Sequence, residues 1–151
     1  MAAAPPMPAF REPTPVEKLF NRAFGFLVGL GLGLGHNYLL QVRGRKTGRI
    51  YSMPVNVLDF RGKRFLVAPR GRTQWVRNAE AAGEVALKRG AARLNCRLHS
   101  IRESERPEIL REYLERFTPT VQRYFPVRAG SALEEFASVA DNYPVFELLP
   151  V

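Results

Sequence analysis

The sequence holds one cysteine, Cys96, and two histidines, His36 and His99, in 151 residues. A lone cysteine excludes an internal disulfide framework and any thiolate-based zinc or iron–sulfur site. With only two histidines besides, the composition offers no ligand set for a dedicated transition-metal site, and it points to a reducing, cytoplasmic setting. Long apolar runs are missing too. The longest, residues 24–35, is interrupted by four glycines after Phe26, whereas spanning a bilayer takes about 20 apolar residues. A secretory leader is not expected, because no basic residue precedes Met7 and because Glu17, Lys18 and Arg22 stand where an apolar stretch would run.

Acid is scarce in the middle of the chain. Residues 43–102 hold 15 Lys and Arg against Asp59, Glu80 and Glu84, a surplus of 12 in a chain whose total is +9. This segment reads as the electrostatic footprint of an anionic partner: a phosphorylated cofactor, nucleic acid or an anionic membrane. The length and the 46% apolar content suit one domain with its own core.

Residues 1–15 contain five of the 12 prolines and read as a flexible arm; residues 16–151 read as a single domain. Val16, Leu19, Phe20, Ala23, Phe24, Leu27, Val28 and Leu30 recur at helical spacing. That apolar face either packs across the end of a sheet or touches lipid. Strands follow at 38–42, 51–60 and 63–68, with Arg61-Gly62 as a hairpin turn. Met53, Val55 and Val57 alternate inward while Leu58 and Phe60 fall on the other parity, which predicts a bulge near 57–59. Thr73 is placed to cap a helix that Gly83 ends, with Trp75, Val76, Ala79 and Ala82 for burial. A second hairpin joins 84–88 to 92–101 around Arg89-Gly90. In it Leu94, Cys96 and Leu98 face one way and Arg93, Asn95, Arg97 and His99 the other. Pro107 opens a helix with Ile109, Leu110, Tyr113, Leu114 and Phe117 on one face. Ser131 and Glu134 form a capping-box pattern ahead of Phe136, Ala137 and Ala140, and 143–149 is a final strand. The pattern is mainly β: a small antiparallel barrel with peripheral helices.

Several motifs fail. The alternating glycines from Gly29 to Gly35 lack dinucleotide-fingerprint spacing, and Arg45 stands where a phosphate loop ending in Lys46-Thr47 needs glycine. No serine sits in a nucleophile elbow. Two turns do join glycine to cations. Gly44-Arg45-Lys46-Thr47-Gly48-Arg49 lets backbone N–H groups converge beside charge, a cradle for phosphate or carboxylate. Ala68-Pro69-Arg70-Gly71-Arg72-Thr73 leads into a helix N-terminus, which carries partial positive charge. Tyr113, Tyr124 and Tyr143 are candidate proton donors from the C-terminal third, although each also suits a packing role.

The order of these pieces is more specific than any one of them. Leu39-Leu40-Gln41-Val42 runs into the first turn; Met53-Pro54-Val55, Phe65-Leu66-Val67-Ala68, Gly71, Trp75 and Asn78 follow. The array resembles the deazaflavin-dependent nitroreductase/quinone reductase family of actinobacteria, within the split β-barrel flavin-binding (pyridoxamine-phosphate-oxidase-like) superfamily. The resemblance implies a reductase that uses coenzyme F420, a 5-deazaflavin with a phosphate and a glutamate tail. It implies that Arg45, Lys46 and Thr47, with Gly48, Arg49, Tyr51 and Pro54 around them, hold the anionic part. It also implies that Ala68, Pro69, Arg70, Gly71 and Arg72 lie against the ring, with Trp75 and Asn78 at the start of the next helix. Two departures mark a divergent branch: the family commonly has arginine where Tyr51 stands, and a longer loop before the tryptophan. The acceptor expected is a small hydrophobic quinone, nitro, or enone or unsaturated lipid-like compound, and a homodimer is expected from the resemblance.

A deazaflavin supplies the hydride, so the protein needs neither nucleophile nor metal, but an anion clamp, a flat apolar slot and a proton donor, the role for which the three tyrosines are candidates. FMN on the same barrel is the alternative cofactor; its single phosphate uses the charge less fully. A non-enzymatic nucleic-acid binder would use Phe60, Phe65 and Trp75 for stacking. No aromatic alternates with the basic residues along one strand face, so specific nucleic-acid binding is not expected. A membrane-surface protein would use residues 16–34 together with the charge.

Overall fold

The computed structural model describes residues 37–151. The arm at 1–15, the helix expected within 16–34 and His36 lie outside the described residues. Six strands form the closed antiparallel barrel β1-β2-β3-β6-β5-β4: β1 Asn37–Arg43, β2 Ile50–Phe60, β3 Lys63–Val67, β4 Glu84–Arg89, β5 Ala92–Ser100 and β6 Val145–Pro150. Helix α1, Gln74–Ala82, connects β3 to β4. Three more helices lie between β5 and β6: α2 Arg106–Arg116, α3 Thr118–Val121 and α4 Leu133–Ala137. Among the described residues no helix is long and apolar enough to cross a membrane.

Alternation builds the barrel. Leu40 and Val42, Val57, Leu66, Val85 and Leu87, Cys96 and Leu148 point inward and form the interior cluster, which Ala79 of α1 joins. Opposite parity on β5 leaves Arg93, Asn95, Arg97 and His99 exposed, as the strand pattern predicts, with Cys96 buried. Burial pushes the Cys96 thiol pKa up, against a smaller opposing effect of the Arg64 charge. At the β2–β3 turn both Arg61 (φ 56°) and Gly62 (φ 76°) are left-handed, the backbone that a two-residue hairpin requires. Gly83, also left-handed, ends α1 and donates its N–H to the Ala79 carbonyl.

A second core lies outside the barrel. Leu58, Phe65, Val67 and Val145 face outward and pack on Ile109, Leu110, Tyr113, Leu114 and Phe117 of the α2 region, and on Phe136 and Tyr143. This corrects the expected bulge near 57–59. The β2–β3 pairs Val57–Leu66, Leu58–Phe65, Asp59–Arg64 and Phe60–Lys63 run in unbroken register. Val57 and Leu58 are both buried because the strand is covered on both faces, one by the barrel interior and one by helices. Three smaller expectations also change. Thr73 occupies the position before α1, but its hydroxyl makes no capping bond. Ala82 is exposed at the end of α1. The capping box at Ser131 does not form, because α4 begins one residue later and Ala132 takes the cap position; the Ser131 N–H is used by the Arg128 carbonyl in a preceding turn.

The two cores carry different loads, and one substitution reads the outer one. Leu110 is fully buried beneath the aromatic layer. Leu110→Ala should lower unfolding free energy by about 2–5 kcal/mol, seen as a shift of the urea midpoint. The exposed Ala82→Ser should stay within about 0.5 kcal/mol of the parent.

Candidate functional site

β1 and β2 are joined by a tightly closed turn. The Gly44 N–H donates to the Arg49 carbonyl (2.7 Å) and the Gly48 N–H to the Gly44 carbonyl (3.0 Å). Arg43 Nη1 donates to the Gly48 carbonyl (3.2 Å), and the Arg49 N–H donates to Thr47 Oγ1 (3.2 Å). The ring of Tyr51 lies against the bare backbone of Gly44: a Cβ there would stand 2.7 Å from Tyr51 Cε2 and 3.0 Å from Thr47 Oγ1. The Tyr51 hydroxyl is 3.4 Å from that of Thr47.

Helix α1 faces the turn. The segment before it is folded by hydrogen bonds from Ala68 N to the Pro144 carbonyl (2.9 Å), Gly71 N to the Ala68 carbonyl (3.2 Å) and Thr73 N to the Gly71 carbonyl (2.9 Å). A pocket of about 310 Å³ opens between turn and helix. Gly44, Arg45, Lys46, Thr47 and Tyr51 form one side, Met53 of β2 contributes an apolar patch, and Gln74, Trp75 and Asn78 of α1 form the other side. That volume lies at the small end of the range for small-molecule sites.

The two cations of the pocket differ. Arg45 is held: its Nη1 donates to Asn78 Oδ1 (2.7 Å), its Nη2 to Gln74 Oε1 (3.0 Å), and its main-chain N–H to the same Asn78 Oδ1 (3.1 Å). Lys46 is exposed and takes part in none of the six ion pairs among the described residues. An anion entering the pocket therefore meets a hydrogen-bonded guanidinium and an exposed ammonium beside Tyr51 and Trp75.

Six of the predicted cofactor residues thus come together: Arg45, Lys46, Thr47, Tyr51, Trp75 and Asn78. Gly48 and Arg49 shape the turn without lining the pocket, and Pro54 stands on β2 opposite Leu39. Ala68, Pro69, Arg70, Gly71 and Arg72 do not line it either; they set the start of α1. Arg72 is paired with Glu80 (2.6 Å), and the Arg70 guanidinium stands 6.0 Å from the Tyr124 ring centre. Two lining residues escaped the sequence reading. Gln74 lies one helical turn before Asn78, so i,i+4 spacing places both on one face. Met53 shares the inward parity of Val55 and Val57.

The sequence profile of the F420H(2)-dependent quinone reductase family matches residues 16–128. No curated protein matches the chain. Among solved structures, the protein Atu2129 of unknown function from Agrobacterium tumefaciens is similar at TM-score 0.55 and 17% identity, over 97% of this chain and 57% of that one. The chain thus spans a little over half the length of that relative. An F420-H2 dependent reductase, FDR-A, gives a TM-score of 0.50 at 20% identity over 76% of this chain and 94% of its own. A domain-swapped dimer gives 0.53 at 19% over 89% and 99%. Such likeness shows a shared fold, the antiparallel split β-barrel.

None of the three candidate proton-donor tyrosines lines the pocket. Tyr113 is buried among the outer aromatics and bonds to Asn56. Tyr143 is fully buried, stacks on Phe125 at 4.3 Å and donates to the Tyr124 carbonyl (2.6 Å). The Tyr124 hydroxyl accepts from Arg123 Nη2 (2.6 Å). Burial raises the hydroxyl pKa of Tyr113 and of Tyr143 well above the tyrosine range. The folded chain therefore keeps protons that the unfolded chain loses near pH ~10, so these groups contribute fully below that pH and progressively less above it. Urea midpoints measured upward from pH ~8 should fall beyond pH ~10, and Tyr143→Phe should make that fall shallower.

Proposed function

The chain belongs to the F420H(2)-dependent quinone reductase family, and from that premise we propose that it binds reduced coenzyme F420 in the pocket between the Gly44–Thr47 turn and α1 and passes a hydride to a small quinone, nitro or enone acceptor. The observation that carries this reading is the meeting, in one pocket, of Lys46, which takes part in no ion pair among the described residues, with the aromatic side chains of Tyr51 and Trp75. These residues fit the group. Lys46 offers a movable point charge to a phosphate, Thr47 a hydroxyl, and Arg45 a fixed cation behind them. Met53 and Trp75 supply apolar surface that keeps water from a flat ring. When bound, the reduced deazaflavin supplies the hydride.

The protein's share of the work is then to hold and orient. In this reading the anion contact narrows to one part of the basic segment. Of the two cationic turns, the first lines the pocket and the second acts through the helix that it starts. The reading includes a homodimer, supported by the domain-swapped neighbour alone; light scattering checks it.

The test is a titration with F420, FMN and a short single-stranded oligonucleotide, followed by ligand fluorescence or polarisation. F420 should bind most tightly, at one site per chain, and more weakly as salt screens the charges over about 8–10 Å. Lys46→Ala should raise the F420 dissociation constant about 10- to 100-fold, the scale of one charge-assisted contact, with unchanged thermal stability. Tight FMN binding with weak F420 binding would promote the alternative cofactor. Tight oligonucleotide binding without a response to F420 would sink the reductase reading.

A further inference from the structure

We propose that Asn78 is a positioning residue that sets the anion-binding turn through Arg45, and that its neutral amide, as opposed to a carboxylate, is what keeps the site cationic. The inference rests on the pocket reading above and deepens it. Sequence order makes Arg45 look like a ligand contact, yet its guanidinium is already engaged twice, by Asn78 and by Gln74. One oxygen, Asn78 Oδ1, accepts both the main-chain N–H and the side chain of the same arginine. That pairing locates the turn as well as the side chain, since it pins the backbone at Arg45 and the end of its guanidinium together.

The far side of the strut is rigid. Asn78 is one of three buried polar residues among those described, with 8% of its surface exposed. Its neighbours on α1 are anchored: Ala79 in the barrel interior, Val76 against Ala68 and Phe146. The line of support runs from the barrel core through α1 and Asn78 to Arg45, and so to Lys46 next in the chain. Both acceptors are uncharged, so Arg45 is immobilised without being neutralised, and its field still reaches the pocket. Arg72, six residues before Asn78, is the contrast: Glu80 holds it at 2.6 Å and cancels its charge.

Geometry and charge are separable by two variants. Asn78→Leu removes the acceptor. Asn78→Asp keeps an acceptor in place and cancels the charge of Arg45. Amide hydrogen exchange in the ligand-free protein reads the strut directly; titrations with F420 and with inorganic phosphate read its effect on binding. In Asn78→Leu the Arg45 amide should exchange about tenfold faster or more, while Leu40 and Leu66 amides stay protected, and affinity for both probes should fall about tenfold. In Asn78→Asp the Arg45 amide should stay protected, affinity should fall by a similar factor, and the salt dependence of binding should flatten.

An unchanged Arg45 amide in Asn78→Leu overturns the strut, whatever the cofactor. Faster exchange with unchanged affinity overturns the positioning role. Native-like affinity in Asn78→Asp overturns the requirement for a neutral acceptor. Native protein that takes phosphate but not F420 sinks the cofactor reading and leaves the strut to be judged on phosphate. Native protein that takes neither overturns both.

Discussion

A barrel of six strands has a narrow interior, and that constraint distributes nearly everything else in the molecule. The fully enclosed positions hold leucine, valine, alanine and one cysteine. Aromatic bulk has to go elsewhere, and Phe65, Tyr113, Phe117, Phe125, Phe136 and Tyr143 assemble outside the wall instead. Tyr113 meets Phe117 edge-on at 5.2 Å while Phe125 and Tyr143 stack, the offset geometries that aromatic pairs favour. The long excursion between β5 and β6 exists to cover that layer. Strands β2, β3 and β6 are buried on both faces where it lies, and the outward residues of β5, Arg93, Asn95, Arg97 and His99, stay exposed.

Charge follows the same division. Four of the six ion pairs among the described residues, Arg61–Glu108, Lys63–Glu147, Arg106–Asp141 and Arg116–Glu112, involve the helical excursion or β6, where the acids of the C-terminal third are available. Asp59 serves Arg64 and Glu80 serves Arg72. On the outer face of the β4–β5 ladder Glu84 stands directly across from Arg97, whereas Lys88 stands across from Arg93, a like-charge pair that disfavours the sheet slightly. Among the described residues that line the pocket, Arg45 and Lys46 carry charge and no acid stands beside them.

Much of the fold was legible because its signals were local. The alternation of Leu94, Cys96 and Leu98 with charged neighbours fixed the register of β5, and Arg61-Gly62 fixed a hairpin. What misled was burial from a distant element. The parity change at Leu58 looks like a kink when one face is assumed wet, and only α2, some 50 residues on, makes both faces dry. Ser131 with Glu134 satisfies the capping pattern, yet the helix start is decided by the turn before it. At the candidate site, glycine and cations marked the Gly44–Gly48 turn that lines the pocket. Their spacing could not tell that Arg45 spends its hydrogen bonds on α1 while Lys46 does not, because that depends on which helix face meets the turn. The tyrosines show residue chemistry read without place: Tyr113 and Tyr143 are packed in the outer core, and neither they nor Tyr124 line the pocket.

Cys96 is the only thiol in the chain and it sits inside the barrel wall, 1% exposed, with its ionisation suppressed by burial. A thiol reagent reaches it only when strands part, since the thiolate is the reactive form and the closed wall withholds both solvent and base. The molecule thus carries its own clock. The rate at which a chromogenic disulfide consumes this one sulfur counts openings of the barrel itself, with no engineered label and no second cysteine to confuse the signal. Ligands that stiffen the wall would slow that clock, and ligands held only at the mouth would leave it ticking as before.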